Sequence, residues 1–385
     1  MDHIAHYLQK DPLKVRELNL VPANVPRLNV PPHDKNVVQE DILPLLKEKA
    51  SILQRKGEVE EFNKKNRWKK RGLSVVPMWH GIIYYPPFKY GMFVVIYERD
   101  GTVAISHGGI EMGQGLNTKV AQVAAYTLGI PLEKVVVKAS DTMMGANSAM
   151  SGASLVTDLC CQGVKKSCEK LKQRLDVIKA KMGEDGSKEP SWEELTQRAY
   201  SENVDLSERC WVAGEEVPED YDVWGATCLE VELDILTGEY MIKRVDLIED
   251  CGRSLNPYVD IGQVEGAFVM GLGLFTSEVI KFNPNTGQKL SDGTWEYKPP
   301  TASDIPRDFR ITLLPNAKHP RGVLGSKAIG EPPLIMSYAV VSALRQAISS
   351  FRASNGDTEW FVMDTPITVE KAHQLCEVKP EYFQF

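Results

Sequence analysis

Several signatures that would decide the class of this chain at once are missing from it. The seven cysteines are an odd set with no C-x-x-C pair, so neither a disulfide framework nor a zinc knuckle is indicated. A reducing compartment suits such a set best. No H-E-x-x-H occurs among the seven histidines. Lysine and arginine number 45 against 52 aspartates and glutamates, and a net charge of −7 argues against general nucleic-acid binding. The one basic cluster, Arg67-Trp68-Lys69-Lys70-Arg71, is short and reads as a solvated edge or a subunit contact. No uninterrupted apolar run approaches membrane-spanning length. The N-terminus lacks the cationic start and apolar core of a signal peptide. A cytoplasmic protein without nucleic-acid or membrane partners is the expectation. Neither a short-period repeat nor a low-complexity segment is present.

What is there is enough for one large or two ordinary domains: 385 residues, 43% of them hydrophobic. Residues 2–10 carry Ile4, Tyr7 and Leu8 at helical spacing, and Asp11-Pro12 is a cap-then-proline start for a helix to Leu18. Residues 21–33 are proline-rich and predict an extended connector. A helical pattern begins at Asp41, and the charged residues 55–72 are expected on the surface. The character changes near Gly72, which suggests a helical and extended segment over 1–75 followed by the main body over 76–385.

In that body, Met92–Tyr97, Asp100-Gly101 and Val103–Ser106 spell a hairpin. A glycine-rich loop follows, then a helix ending near Gly129 and a short buried strand at Val135–Val137. Leu155, Leu159, Leu171, Leu175 and Ile178 predict one long amphipathic helix from Ser154 to Met182. Ser191-Trp192-Glu193-Glu194 is a capping box. Alternation over 226–248 with a turn at Thr237-Gly238 predicts a second hairpin, and helical patterns recur near 261–272, 334–351 and 368–376. Hairpins interleaved with helices indicate an α+β, mixed α/β fold rather than a βαβ series.

Four glycine-marked loops each lead into a helix. They are His107–Gly115, Gly145–Ser154, Asp260–Gln263, and the segment holding Gly325 and Gly330-Glu331. Glycine admits close approach of backbone to ligand, and helix N-termini offer free N–H groups to anions, so the set suits a phosphorylated ligand. Taken singly, each of these glycines is most often only turn chemistry or capping. No G-K-[ST] is present, and Gly113-Gln114-Gly115 lacks the third glycine of the dinucleotide fingerprint. Glu331 stands between Gly330 and Pro332-Pro333, at the mouth of an apolar helix. Taken alone it reads as charge complementing a helix start.

The stretches H-G-G-I-E-M-G-Q-G from His107, N-P-Y-V-D-I-G-Q-V-E-G-A from Asn256 and S-K-A-I-G-E-P-P from Ser326 together resemble the molybdenum hydroxylases, the aldehyde oxidases and xanthine dehydrogenases. The resemblance runs over essentially the whole chain. It implies the second half of their molybdenum cofactor-binding domain, with molybdenum held through a pterin and no direct protein ligand. By position it implies that Met112, Gly113, Gln114, Ser151, Ala153, Ser154 and Gln263 touch the molybdopterin and that Glu331 is the catalytic base. The implied reaction is oxidative hydroxylation of an aldehyde or N-heterocycle with water as the oxygen source. The base works best with a pKa near ambient pH.

Tyr84 falls near a phenylalanine expected to sandwich purines in the xanthine dehydrogenases. With Tyr85 and Phe88 it makes a candidate substrate pocket, or simply packs under the hairpin. The departure from the purine pattern implies an aldehyde oxidase of the insect type, with purine oxidation as the alternative.

Full-length members of that family are homodimers carrying two 2Fe–2S clusters and FAD, for which this chain has no cysteine set and no flavin segment. It resembles only their C-terminal part, as a fragment or truncated paralogue would. Two classes of function follow: a catalytic half-domain, or a non-catalytic binding or subunit module. The missing half would also leave apolar surface exposed.

Overall fold

The computed structural model describes residues 1–25, 35–184, 189–213, 219–317 and 319–383. Among these residues eight strands form: β1 Lys69–Ile82, β2 Tyr90–Ile96, β3 Val103–His107, β4 Val135–Val137, β5 Ser207–Val212, β6 Tyr221–Asp234, β7 Tyr240–Glu249 and β8 Asp308–Leu313. They make two four-stranded mixed sheets, ordered β4-β3-β2-β5 and β1-β6-β7-β8. In each, one edge strand is parallel to its neighbour and the remaining pairs are antiparallel. The mixed α/β class read from the sequence is what the chain adopts.

Both expected hairpins are present. Gly101 (φ +67°) turns β2 into β3, and Gly238 (φ +77°) turns β6 into β7. β4 forms, but as an edge strand with Val136 41% exposed rather than as a buried one, because it pairs on one side only. Strand β1 corrects a larger expectation. The charged stretch 55–72 is not simply surface: Arg55 is buried, its Nη1 2.9 Å from Asp246 and its Nη2 2.9 Å from Glu230. Lys70 is buried too, donating to the Asn63 carbonyl at 2.6 Å. Charged groups go inside here because partners on β6, β7 and a helix end are supplied. β1 also runs unbroken through residues 75 and 76.

Helices cover both sheets. On the N-terminal side are α1 Asp2–Tyr7, α2 Pro12–Leu18, α3 Leu43–Lys49, entered through a π-turn, and α4 Ile52–Lys65. Asp11 caps α2 by accepting from Leu13 N at 2.7 Å. Most of the proline-rich connector, from residue 26 on, lies outside the described residues. α5 Leu116–Leu128 and the long α6 Val156–Glu184 follow, with α6 packed on β2 and β5. α7 Trp192–Ser201 starts with both bonds of its capping box in place.

α8 Pro257–Thr276 begins earlier than its apolar periodicity suggests, because Asn256 caps it and Pro257 takes its first position. The helix expected over 334–351 is two: α9 Pro332–Met336 and α10 Ala339–Ser354. The Ser337 hydroxyl donates to the Leu334 carbonyl at 2.6 Å where they part. Together, Pro332–Ser354 have the length and hydropathy of a membrane span, but most of that stretch is buried against β1 and β6. α11 Val369–Cys376 closes the chain's helical part.

One core fills the space between the sheets and α5, α6, α8, α10 and α11; a smaller one, with Leu73, Val75, Trp224 and Ile248, seats the N-terminal helices on the other face of the second sheet. α8 leaves Tyr258 at its start and Met270 and Leu274 near its end largely exposed.

Candidate active site

The first loop leaves β3 at His107 and is shaped by its own acid. Glu111 accepts from the backbone N–H groups of Gly113 at 2.9 Å, Gly115 at 3.0 Å and Asn117 at 2.9 Å. Burial alone would raise its pKa, yet these donors hold the carboxyl below the usual range. The N-terminus of α5 is thus occupied by Glu111, not open to a phosphate as the glycine pattern implied. Gln114 likewise folds back, accepting from Met112 N at 2.6 Å and donating to the Ile110 carbonyl at 2.7 Å. Gly113 (φ +98°) points where a Cβ would find nothing within 4 Å.

The second loop locks onto the first. A Cβ on Gly108 would strike Ser148 Oγ at 1.8 Å, so only glycine admits this crossing. Ser151 Oγ accepts from Ile110 N at 2.7 Å. Ala153 and Ser154 both sit in the left-handed region at φ +55°, a strained pair without glycine. That twist delivers Ser154 Oγ to the backbone N–H of Glu331, at 3.1 Å.

Glu331 is the N-cap of α9, but its side chain makes no capping bond. It is 41% exposed and faces His80, with Oε2 3.8 Å from the imidazole Nε2. Burial lowers the pKa of His80 and Glu331 pulls the other way; the net shift is downward. From α8, Gln263 Nε2 donates weakly to the Gly113 carbonyl at 3.4 Å. A Cβ on Gly330 would stand 3.5 Å from both Gln263 Oε1 and Ser154 Oγ. The four loops therefore meet, and Met112, Gly113, Gln114, Ser151, Ala153, Ser154, Gln263 and Glu331 belong to the segments that do.

The aromatic candidates divide. Tyr84 donates through its hydroxyl to Asp158 Oδ2 at 2.8 Å, beside Tyr221, which donates to the same oxygen at 2.6 Å. Tyr221 in turn accepts from Ala328 N at 2.8 Å, three residues before Glu331. Burial pushes the Asp158 carboxyl up against the two phenol bonds, and pushes both phenols up as well. Phe88 is buried in the main core, and Tyr85, half exposed, has its ring 6.2 Å from that of Phe88.

His80, Asp158, Tyr221 and Glu111 were not singled out from the sequence. Asp158 was findable: it sits between Leu155 and Leu159 on the apolar stripe of α6, where a charge must have partners. His80 shows only once β1 is known to be a strand.

Backbone loops converging on one carboxylate, with few long side chains reaching inwards, define a cofactor-cradling domain. Residues 45–306 match the family described as Molybdopterin cofactor-binding domain. The chain belongs to the molybdenum hydroxylases, as part of their molybdopterin-binding domain. The matched span holds three of the loops and ends before Glu331. The chain is 40% identical over 334 residues to "Xanthine dehydrogenase/oxidase" of Gallus gallus, covering 84% of this chain and 24% of that protein. It is 41% identical over 336 residues to "Probable aldehyde oxidase 2" of Oryza sativa subsp. japonica, again covering 84% and 24%. Quinoline 2-oxidoreductase from Pseudomonas putida 86 shares the fold with a TM-score of 0.82 at 21% identity, over 98% of this chain and 51% of that one. The chain spans about a quarter of the length of the curated relatives it matches.

Proposed function

We propose that the chain is the catalytic part of a molybdenum hydroxylase that oxidises aldehydes to carboxylic acids, with Glu331 as general base. The observation that carries this reading is the seat of Glu331. Its backbone is tied to Ser154 of the second loop, its neighbour Gly330 lies against Gln263 of the third, and Gln263 reaches Gly113 of the first.

A cofactor would find room here. Gly113, Gly152 and Gly262, one on each of three loops, have nothing within 4 Å of where a Cβ would stand. Met112, Gly113, Ser151, Ala153, Ser154 and Gln263 would hold molybdopterin, while Gln114 supports it by fixing the shape of the first loop. When bound, the molybdenum cofactor supplies the electron acceptor and activates water as the oxygen source. A Glu331 carboxylate oxygen would be the proton acceptor beside it. His80, kept neutral by its depressed pKa, leaves that carboxylate free to act as a base.

Aldehyde and purine relatives are equally similar, at 41% and 40% identity. The aldehyde is preferred because the residues around Tyr84 depart from the purine pattern; the Tyr84 hydroxyl itself is satisfied by buried Asp158. FAD, the iron–sulfur clusters and the homodimer are assigned to longer relatives, and the cytoplasm is the expected site of action.

The test is metal analysis and turnover of the cofactor-supplied 385-residue chain. About one molybdenum per chain is expected, with benzaldehyde oxidised once but not repeatedly, because the electrons have no onward carrier. Glu331→Gln should keep the metal and lose that turnover. Metal-free folded protein, or an active Glu331→Gln variant, would overturn the assignment, and oxidation of xanthine in preference to benzaldehyde would transfer it to purines.

A further inference from the structure

A cavity of about 440 Å³ lies between α1, α10 and residues 357–361, and none of its lining residues belongs to the four loops. That is within the range of roughly 300–1,000 Å³ usual for small-molecule sites. Its wall carries a guanidinium, that of Arg345, which makes no ion pair among the described residues, although Asp2 acts on it from longer range. Arg345 lies with its Cζ 4.1 Å from the ring centroid of Trp360 and 4.9 Å from that of Phe361, and Nη1 donates to the Phe361 carbonyl at 2.8 Å. His3 stacks on Trp360 at 4.5 Å and 11°, bracing that ring. No carboxylate pairs with Arg345 among the described residues, and burial draws its pKa down.

The other charges of the wall sharpen the selectivity. Asp2 is held by Arg16 and Ser342, each at 2.6 Å, and Asp357 by Arg352 at 2.5 Å. Glu359 is exposed and makes no ion pair among the described residues. Lys10 adds positive charge and makes no ion pair among the described residues, and His6 lies against Trp360 with ring centroids 5.5 Å apart. A guanidinium whose faces lie on rings has only its in-plane N–H edge left to offer, which matches a planar carboxylate bidentately. Glu359, the acid of the wall without an ion pair among the described residues, opposes a second negative charge, so a single one is favoured over phosphate.

We propose that this cavity binds a small planar monocarboxylate, gripped in-plane by Arg345. The site is separate from the cofactor loops, so cofactor-free protein serves for the test. Benzoate is titrated into the whole chain by calorimetry, with benzamide and inorganic phosphate as controls. Saturable binding in the millimolar range is expected for benzoate alone. Arg345→Lys keeps the charge but loses the fork, and should weaken benzoate about tenfold. Glu359→Gln should tighten it, which needs no disruption of the wall. Absence of saturation by about 20 mM in folded wild type would overturn the proposal. So would equal affinity for benzamide, or an unchanged affinity in a folded Arg345→Lys variant.

Discussion

His80 Nε2 stands 3.8 Å from Glu331 Oε2, across the gap between β1 and the start of α9. The imidazole is the partner that titrates visibly. Burial depresses its pKa, and the facing carboxylate partly restores it. Glu331→Gln removes only the restoring influence, so the His80 pKa should fall further. An NMR titration of the imidazole ring protons measures this without cofactor or turnover. An unchanged or higher value would mean that the two groups do not feel each other. The sign for stability follows: a histidine held neutral in the fold contributes stability above its unfolded pKa of 6.5, lost as pH falls through the lower folded value.

Tyr221 links a buried acid to the loop that carries the base, donating to Asp158 and accepting from Ala328 N. Tyr221→Phe deletes both bonds and leaves a buried N–H unpaired. A loss of about 1–3 kcal/mol is expected. Hydrogen exchange at the Ala328 amide should speed up more than in the core of α10. Tyr84→Phe, which leaves the Ala328 bond intact, should spare that amide. If both variants exchange alike, the phenol does not hold the loop.

Ala153 and Ser154 take left-handed conformations without being glycine. Ala153→Gly relieves the strain at a position where the side chain is not needed for a bond. Stability should rise by about 0.5–1 kcal/mol, read as a higher midpoint of thermal unfolding. Ser154→Gly is the contrasting case, because it also deletes the hydroxyl that accepts from Glu331 N. The gain there should be smaller or reversed.

Much of the architecture is legible in the residues, because turns and caps are local. Asp100-Gly101, Thr237-Gly238 and Ser191–Glu194 each carry their geometry in adjacent positions. β1 was not legible. Its alternation is blurred by Lys70 and Arg71, whose partners, Asn63 and Glu232, come from a helix end and a strand far along the chain. The site divides in the same way. The four loops announce themselves by glycine, whereas the pairing of His80 with Glu331 depends on β1 ending beside α9. Glu111 is a part of its loop that the glycine pattern does not show: the chain supplies its own anion at the start of α5.

Gln263 is half-buried, and among the described residues its side chain makes one hydrogen bond, the long one to the Gly113 carbonyl. Gln263→Ala should therefore change stability by no more than about 0.5 kcal/mol. If the side chain holds molybdopterin, the same variant should retain several-fold less molybdenum after desalting. Metal content and melting point measured on one sample separate the two effects. Full metal retention would remove Gln263 from the cofactor site.

Glu249 ends β7 fully buried, and neither carboxyl oxygen has a hydrogen-bond partner among the described residues. The nearby cations are engaged elsewhere: Lys327 lies 2.6 Å from Asp250, and Lys119 lies 2.6 Å from Asp260. Burial, reinforced by those two aspartates, pushes the Glu249 pKa well above its ordinary 4.5, so the folded chain keeps the proton. The folded state then binds more protons than the unfolded one at every pH between these two values. Stability attributable to Glu249 is present below pH 4.5 and is lost as pH rises above it. Glu249→Met replaces an unpaired polar group with an apolar one of similar length and should stabilise by about 1–3 kcal/mol near neutrality. The advantage over wild type should widen as thermal melts are run from about pH 5 to about pH 8. A constant difference across that range would show that Glu249 titrates the same in both states, and a lower melting point for the variant would reveal a partner that the carboxyl needs.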